Sequence, residues 1–237
     1  MYTTLNYSPN FDLKKRKVKD IKFIVFHYTG MKNEKEAIRK LTDSYSKVSS
    51  HYLIKNNGEV ITLVPDLYIS WHAGISSWKN YKSINKYSIG IEISNPGHYN
   101  KYKKFSKIQI QAILKLSKFL IKKYKIKINF ILGHSDIAPY RKKDPGEKFP
   151  WFFLSQKGVG SWFITKKKNI QKKKNKNLRD NFFNNLHKIG YRYFNKKRKL
   201  SSDLKVIKAF QRRYRQNKVN GLIDQECVQI SAILAKN

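Results

Sequence analysis

Three short apolar runs constrain this chain more than anything else in it: IKFIVF at residues 21–26, SIGIEIS at 88–94 and INFIL at 128–132. Runs of this length, rich in Ile, Val and Phe and without clean polar alternation, read as strands buried on both faces. Such strands need cover above and below. EKEAIRKL at 34–41 suits a short helix, and SKIQIQAILKLSKFLIKKY at 106–124 suits a long one. The long one opens with Ser106 and Gln109 at capping-box spacing and sets Ile110, Ile113, Leu114, Ser117 and Ile121 along one face. HYLIK, the turn NNG and EVITLV read as a hairpin, because Asn57 and Gly58 tolerate the positive φ of tight turns. The pattern predicts an α/β (α+β) fold with a mixed central β-sheet flanked by helices.

The segment TKKKNIQKKKNKNLR divides the chain. It carries basic residues, no acidic ones and little that is apolar, so it reads as a solvated linker over 165–179. Residues 1–164 and 180–237 are the expected domains on either side. The formal charge of +36, from 51 basic and 15 acidic residues, is spread through all three pieces. It would draw the chain to polyanions such as an anionic cell envelope. It forms no localised stripe and no base-reading motif accompanies it, so no specific nucleic-acid partner is expected.

Cys227 is the only cysteine, which excludes an intrachain disulfide and a cysteine metal cluster. No run approaches the ~20 apolar residues of a membrane span. The stretch MYTTLNYSPNFDLKKRKVKD has no apolar signal core, which points to the cytoplasm, with the periplasm or cell envelope as the alternative. The sequence sets no oligomeric state.

His27 and His134 each follow directly after an apolar run, and Asp144 sits in a loop stiffened by Pro139 and Pro145. Two imidazoles and one carboxylate make a three-ligand zinc set with a fourth position open. On spacing alone, a hydrogen-bonded histidine at a strand end is the commoner reading of either residue.

The wording around these residues adds to that. FIVFHYTG, VSSHYLI, WHAGISSW, SIGIEISNPGH and GHSDIAPYRKKDPGEKFPW, in this order between about residues 6 and 163, closely resemble the zinc-dependent N-acetylmuramoyl-L-alanine amidases, a family that includes phage lysozyme-type amidases and peptidoglycan-recognition proteins. The resemblance implies that His27, His134 and Asp144 bind Zn2+ and that Glu92 and Lys142 are the catalytic pair. Lys143 is chemically identical to Lys142, and only the family register separates them. The resemblance also implies substrate contacts from His72, Trp71 and Asn95. His51 reads as a structural histidine, and His98 has no assigned role. The implied reaction is hydrolysis of the amide joining the lactyl group of N-acetylmuramic acid to L-alanine, in peptidoglycan or (anhydro)muropeptides. The alternative is a non-catalytic peptidoglycan-recognition protein.

DLKVIKAFQRRYRQNKVNGLIDQECVQISAIL, in the tail, resembles the small three-helix peptidoglycan-binding domain. Val206, Ile207, Phe210 and Tyr214 fall on one helical face and read as core, Gly221 as the end of a loop and Asp224 as a helix cap. Cys227 stands where that family commonly has Thr and reads as a small buried residue. The tail is expected to be a separable, all-α unit whose binding to wall polymer would raise the local concentration of the catalytic site.

Overall fold

The structure, a computed structural model, describes residues 3–164 and 177–236. Most of the expected linker, residues 165–176, lies outside the described residues. The strands are β1 (Thr4–Leu5), β2 (Phe11–Asp12), β3 (Phe23–Tyr28), β4 (Tyr52–Ile54), β5 (Val60–Thr62), β6 (Ile69–Ser70), β7 (Ser77–Trp78), β8 (Tyr81–Lys82), β9 (Ser88–Ile93) and β10 (Ile131–Gly133). The helices are α1 (Glu34–Thr42), α2 (Lys107–Tyr124), α3 (His134–Ile137), α4 (Trp151–Gln156), α5 (Leu178–Ile189), α6 (Asp203–Tyr214) and α7 (Gln225–Leu234). No described helix is long and apolar enough to cross a membrane.

The central sheet runs β1-β5-β4-β9-β3-β10. It is mixed, as expected: β4, β9, β3 and β10 are parallel neighbours, and the β4–β5 hairpin is antiparallel. Alternation along each strand assigns its two faces. Ile24 and Phe26 of β3, with Ile89, Ile91 and Ile93 of β9, pack with Ile113, Leu116 and Leu120 of α2. Phe23 and Val25 point the other way, and with Leu132 and Ile137 they share a core with Phe182, Phe183, Val206 and Phe210 of the tail. The tail helices therefore cover the second face of the sheet. The tail, read from the sequence as a domain of its own, shares this core with the sheet, where Phe23 also packs against Phe130 and Tyr81.

Several details differ from the sequence reading. The capping box of α2 forms, with Ser106 accepting from the Gln109 amide. Its buried line, however, is Gln109, Ile113, Leu116, Ser117, Leu120 and Tyr124, with Ile110, Leu114 and Ile121 on the flank. The Gln109 amide group donates to the Ser94 carbonyl at 2.8 Å, which anchors the first turn to the end of β9 and sets the rotation of the helix. INFIL is only partly strand: Ile128–Phe130 forms a 3-10 turn and pairing begins at Ile131. In the hairpin, Gly58 takes the positive φ, +81°, while Asn57 instead accepts the Glu59 amide through its side chain. The tail forms three helices in which Val206, Ile207, Phe210, Tyr214 and Cys227 are buried, and Asp224 caps α7 by accepting the Cys227 amide at 3.1 Å.

If the tail and sheet share one core, they unfold together. Phe210→Ala should cost about 3–5 kcal/mol and lower the midpoint of a single denaturant transition followed by far-UV circular dichroism and tryptophan fluorescence. Two separated transitions, with only one of them moved, would contradict the shared core.

Candidate active site

The parallel pairing of β3 with β9 places His27 directly beside Glu92. By parity both lie on the face that Phe23 and Val25 occupy. Gly133 of β10 pairs with Phe26, so the next residue, His134, emerges next to His27 as the first residue of α3. Asp144 comes from the following loop, whose backbone is tied down by Ser135 N–H donating to the Asp144 carbonyl at 2.8 Å. The result is a triangle: His27 Nδ1 and His134 Nδ1 are 2.9 Å apart, and each is 3.0 Å from Asp144 Oδ2. All three side chains are buried.

The hydrogen-bond partners of the two rings assign where their protons sit. His134 Nε2 lies 3.0 Å from the Ala73 carbonyl, which can only accept, so in the neutral ring Nε2 carries the proton and Nδ1 a lone pair. For His27 the chain is longer. The Ser88 hydroxyl donates to the Ile84 carbonyl at 2.7 Å and is left to accept from His72 Nε2–H at 3.1 Å. His72 Nδ1 is then a lone pair that accepts from His27 Nε2–H at 3.0 Å, which leaves His27 Nδ1 unprotonated as well. This tautomer set, assigned from the hydrogen-bond network, leaves two nitrogen lone pairs and one carboxylate oxygen within 3.0 Å of one another.

Three electron-pair donors so close together call for a cation. Around a tetrahedral zinc with bonds of 2.0–2.1 Å, ligand atoms stand about 3.3 Å apart, close to the spacing here. The titration behaviour agrees. Burial, reinforced by neighbouring His134, pushes His27 down to about 4. Burial alone would raise Asp144, and charge or N–H donation from His134 and His27 would hold its carboxyl well below the usual carboxylate range; with both Nδ1 atoms unprotonated, a bound cation would have to supply that positive charge instead. A neutral imidazole and an ionised carboxylate are the states a metal ligand needs. Among the described residues, His27, His134 and Asp144 form a group that could hold a metal ion.

The triangle opens into a cavity of about 260 Å³ that Glu92, Tyr99, Arg141, Lys142 and Lys143 also line. Glu92 Oε2 is sealed from solvent and has no hydrogen-bond partner among the described residues. Burial, and next the charge of Asp144, push its carboxyl up to about 8, while Lys142 and Lys40 pull the other way. The two adjacent lysines part company: Lys142 is half-buried, whereas Lys143 is exposed and its Nζ sits 5.1 Å over the Tyr99 ring.

The other expected contacts are placed differently. His72 borders the cavity but is 6% exposed, with both ring nitrogens engaged by His27 and Ser88, so it orients His27. Its ring lies against Gly90, where any Cβ would collide with it. Trp71 is not brought to the cavity; its indole N–H donates to Asp12 Oδ1 at 2.7 Å. Asn95 is buried and holds loops together, donating to the Lys103 carbonyl and accepting the Gly97 amide. His51 is fully buried between Arg16 and Ser70. His98 bridges Tyr28 and Glu147 at 2.9 and 3.0 Å. Sequence reasoning passed over Arg141, which clamps the loop to the carbonyls of Ala73 and Ile75. Nothing in the run RKK distinguishes it.

Two histidines and an aspartate that could hold a metal ion converge with a glutamate at the ends of the parallel strands, the donor set of a candidate metal-dependent site. Residues 17–147 match the family model described as N-acetylmuramoyl-L-alanine amidase. The match spans more than half of the chain, and the chain belongs to this family. N-acetylmuramoyl-L-alanine amidase AmiD of Escherichia coli is 42% identical over 154 residues, covering 60% of this chain and 55% of AmiD. The 1,6-anhydro-N-acetylmuramyl-L-alanine amidase AmpD of Citrobacter freundii is 36% identical over 108 residues, covering 46% and 56%. The chain thus spans about half the length of these curated relatives. In three dimensions, E. coli AmiD, solved with the substrate anhydro-N-acetylmuramic acid-L-Ala-D-gamma-Glu-L-Lys, gives a TM-score of 0.81 at 33% identity over 95% of this chain and 92% of that one. AMPDH3 from Pseudomonas aeruginosa gives 0.79 at 26% identity over 99% and 98%.

A carboxyl raised to about 8 favours its protonated form in the folded protein. The metal-free protein therefore loses stability as pH rises from about 4.5, the ordinary value, towards 8, at about 1.4 kcal/mol per unit. Glu92→Gln should stabilise the metal-free protein by a few kcal/mol at pH 8 and leave it unchanged at pH 4, as read by denaturant titration at both values. Equal effects at the two pH values would show that Glu92 ionises normally.

Proposed function

We propose that the chain hydrolyses the amide between the lactyl group of N-acetylmuramic acid and L-alanine, in peptidoglycan or (anhydro)muropeptides, with Zn2+ held by His27, His134 and Asp144. The observation that carries this reading is the convergence of two Nδ1 atoms and one carboxylate oxygen beside Glu92, whose Oε2 has no hydrogen-bond partner among the described residues. A zinc ion bound there would supply Lewis acidity, which lowers the pKa of a water from 15.7 to about 7.

The chain's own groups do the rest. Glu92 is placed to take a proton from water and pass it to the departing amine, and its raised pKa suits both halves of that transfer. Lys142, on the cavity wall, puts a positive charge where the amide oxygen gathers negative charge. Lys40, Arg141 and Lys143 add positive charge to the same wall and attract the carboxylates of a stem peptide. The presence of Glu92 and Lys142 beside the cluster supports hydrolysis over recognition alone. The substrate class is supported by relatives described as acting on anhydro-N-acetylmuramyl-L-alanine or solved with an anhydromuramyl peptide.

Mass spectrometry of a defined anhydromuramyl peptide tests this directly. The unaltered protein should release the peptide with a free L-alanine amine, lose activity to a chelator and regain it with zinc. Glu92→Ala and Lys142→Ala should each fall at least ~100-fold in kcat, while Lys143→Ala should change little. Loss from Lys143→Ala with Lys142→Ala intact would show that the two roles are exchanged, and uncleaved substrate with loaded protein would refute the reaction.

A further inference from the structure

A buried polar cluster joins the tail to the turn that carries His134. Asp136 lies two residues beyond His134 in α3. Its Oδ2 accepts the Gly133 amide at 2.8 Å and pairs with Nη1 of Arg213 on α6, while its Oδ1 accepts the Tyr191 hydroxyl at 2.6 Å. Arg213 Nη2 donates to the Ile131 carbonyl at 2.9 Å, and its guanidinium lies 4.3 Å from the centre of the Trp151 ring. Asp136, Arg213 and Tyr191 are each no more than 2% exposed.

This cluster has more to hold than a core. A helix of four residues has no stability of its own, and Gly133 before it offers no side chain to cap it. Arg213 grips both sides of the junction, the last strand through Ile131 and the turn through Asp136. The planar guanidinium, with donors in a fixed fork, sets the angle between the two more firmly than a lysine would. Between those anchors lies His134, whose ring must meet His27 and Asp144 to within a few tenths of an ångström.

We propose that Arg213 and Tyr191 are positioning residues for His134, so that the tail is part of what assembles the metal site; this rests on the zinc reading above. The tail then does more than cover the sheet. Its α6 and the segment after α5 fix the approach of one ligand to the ion.

Arg213→Met leaves Asp136 buried without its ion-pair partner and endangers folding, so Tyr191→Phe carries the test. It keeps the ring, which packs 4.8 Å from Trp78, and removes only the hydroxyl. In the full chain, two quantities are measured: the zinc dissociation constant, by competition with a chromogenic chelator, and hydrogen exchange of amides 133–137 in metal-free protein. Tyr191 reaches His134 only through Asp136, so Tyr191→Phe should weaken zinc binding by less than the about 10–100-fold typical of a group bonded to the ligand itself, and should speed exchange at 133–137. Unchanged zinc affinity and unchanged exchange, even with a lower melting temperature, would overturn the inference and leave the cluster a matter of packing. Failure of the unaltered protein to bind zinc would instead overturn the metal reading, and this inference with it.

Discussion

Two imidazole nitrogens and a carboxylate oxygen, held within about 3 Å of one another without a proton between the nitrogens, are the constraint on which the rest of the structure depends. Left alone, such an arrangement is electrostatically costly, since each group has been removed from water and faces another electron pair. It persists because each ring is held from behind. Ala73 fixes His134, and the Ile84–Ser88–His72 chain fixes His27. The same is true of Glu92, whose Oε2 is kept out of water and without a partner among the described residues by its place in β9. Strain of this kind concentrates where a ligand relieves it.

The fold supplies the stiffness this needs. Parallel pairing of β10, β3 and β9 delivers His134, His27 and Glu92 to one end of the sheet in fixed register. Because β3 carries apolar side chains on both faces, it needs two layers of cover, which come from α2 on one side and the tail on the other. The tail and the catalytic layer are thus mechanically continuous, and the Arg213–Asp136 pair lies on that seam.

Much of this was legible in the sequence, for identifiable reasons. The buried strands announced themselves by composition, the capping box of α2 by Ser106 and Gln109, and the cap of α7 by Asp224. The convergence of His27, Glu92, His134 and Asp144 followed from motifs in a known order. What stayed hidden depends on rotation and partnership. The inward line of α2 turns on the bond from Gln109 to Ser94, which no periodicity encodes. Trp71 and Asn95 sit in motifs that border the cleft, yet their side chains face Asp12 and Lys103. His72 lies beside the site in sequence and in space, but its two nitrogens are committed behind His27. The fusion of tail and sheet could not be read because both patterns, an amphipathic helix and a two-faced strand, leave the identity of their partner open.

The most direct test of the central claim is X-ray absorption spectroscopy on protein loaded with one equivalent of zinc, compared with the His27→Ala and His134→Ala variants. The account predicts one tightly held ion with two imidazole nitrogens and one carboxylate oxygen at about 2.0–2.2 Å, and one imidazole fewer in each variant. A first shell without those imidazoles, or one unaltered in either variant, would contradict it.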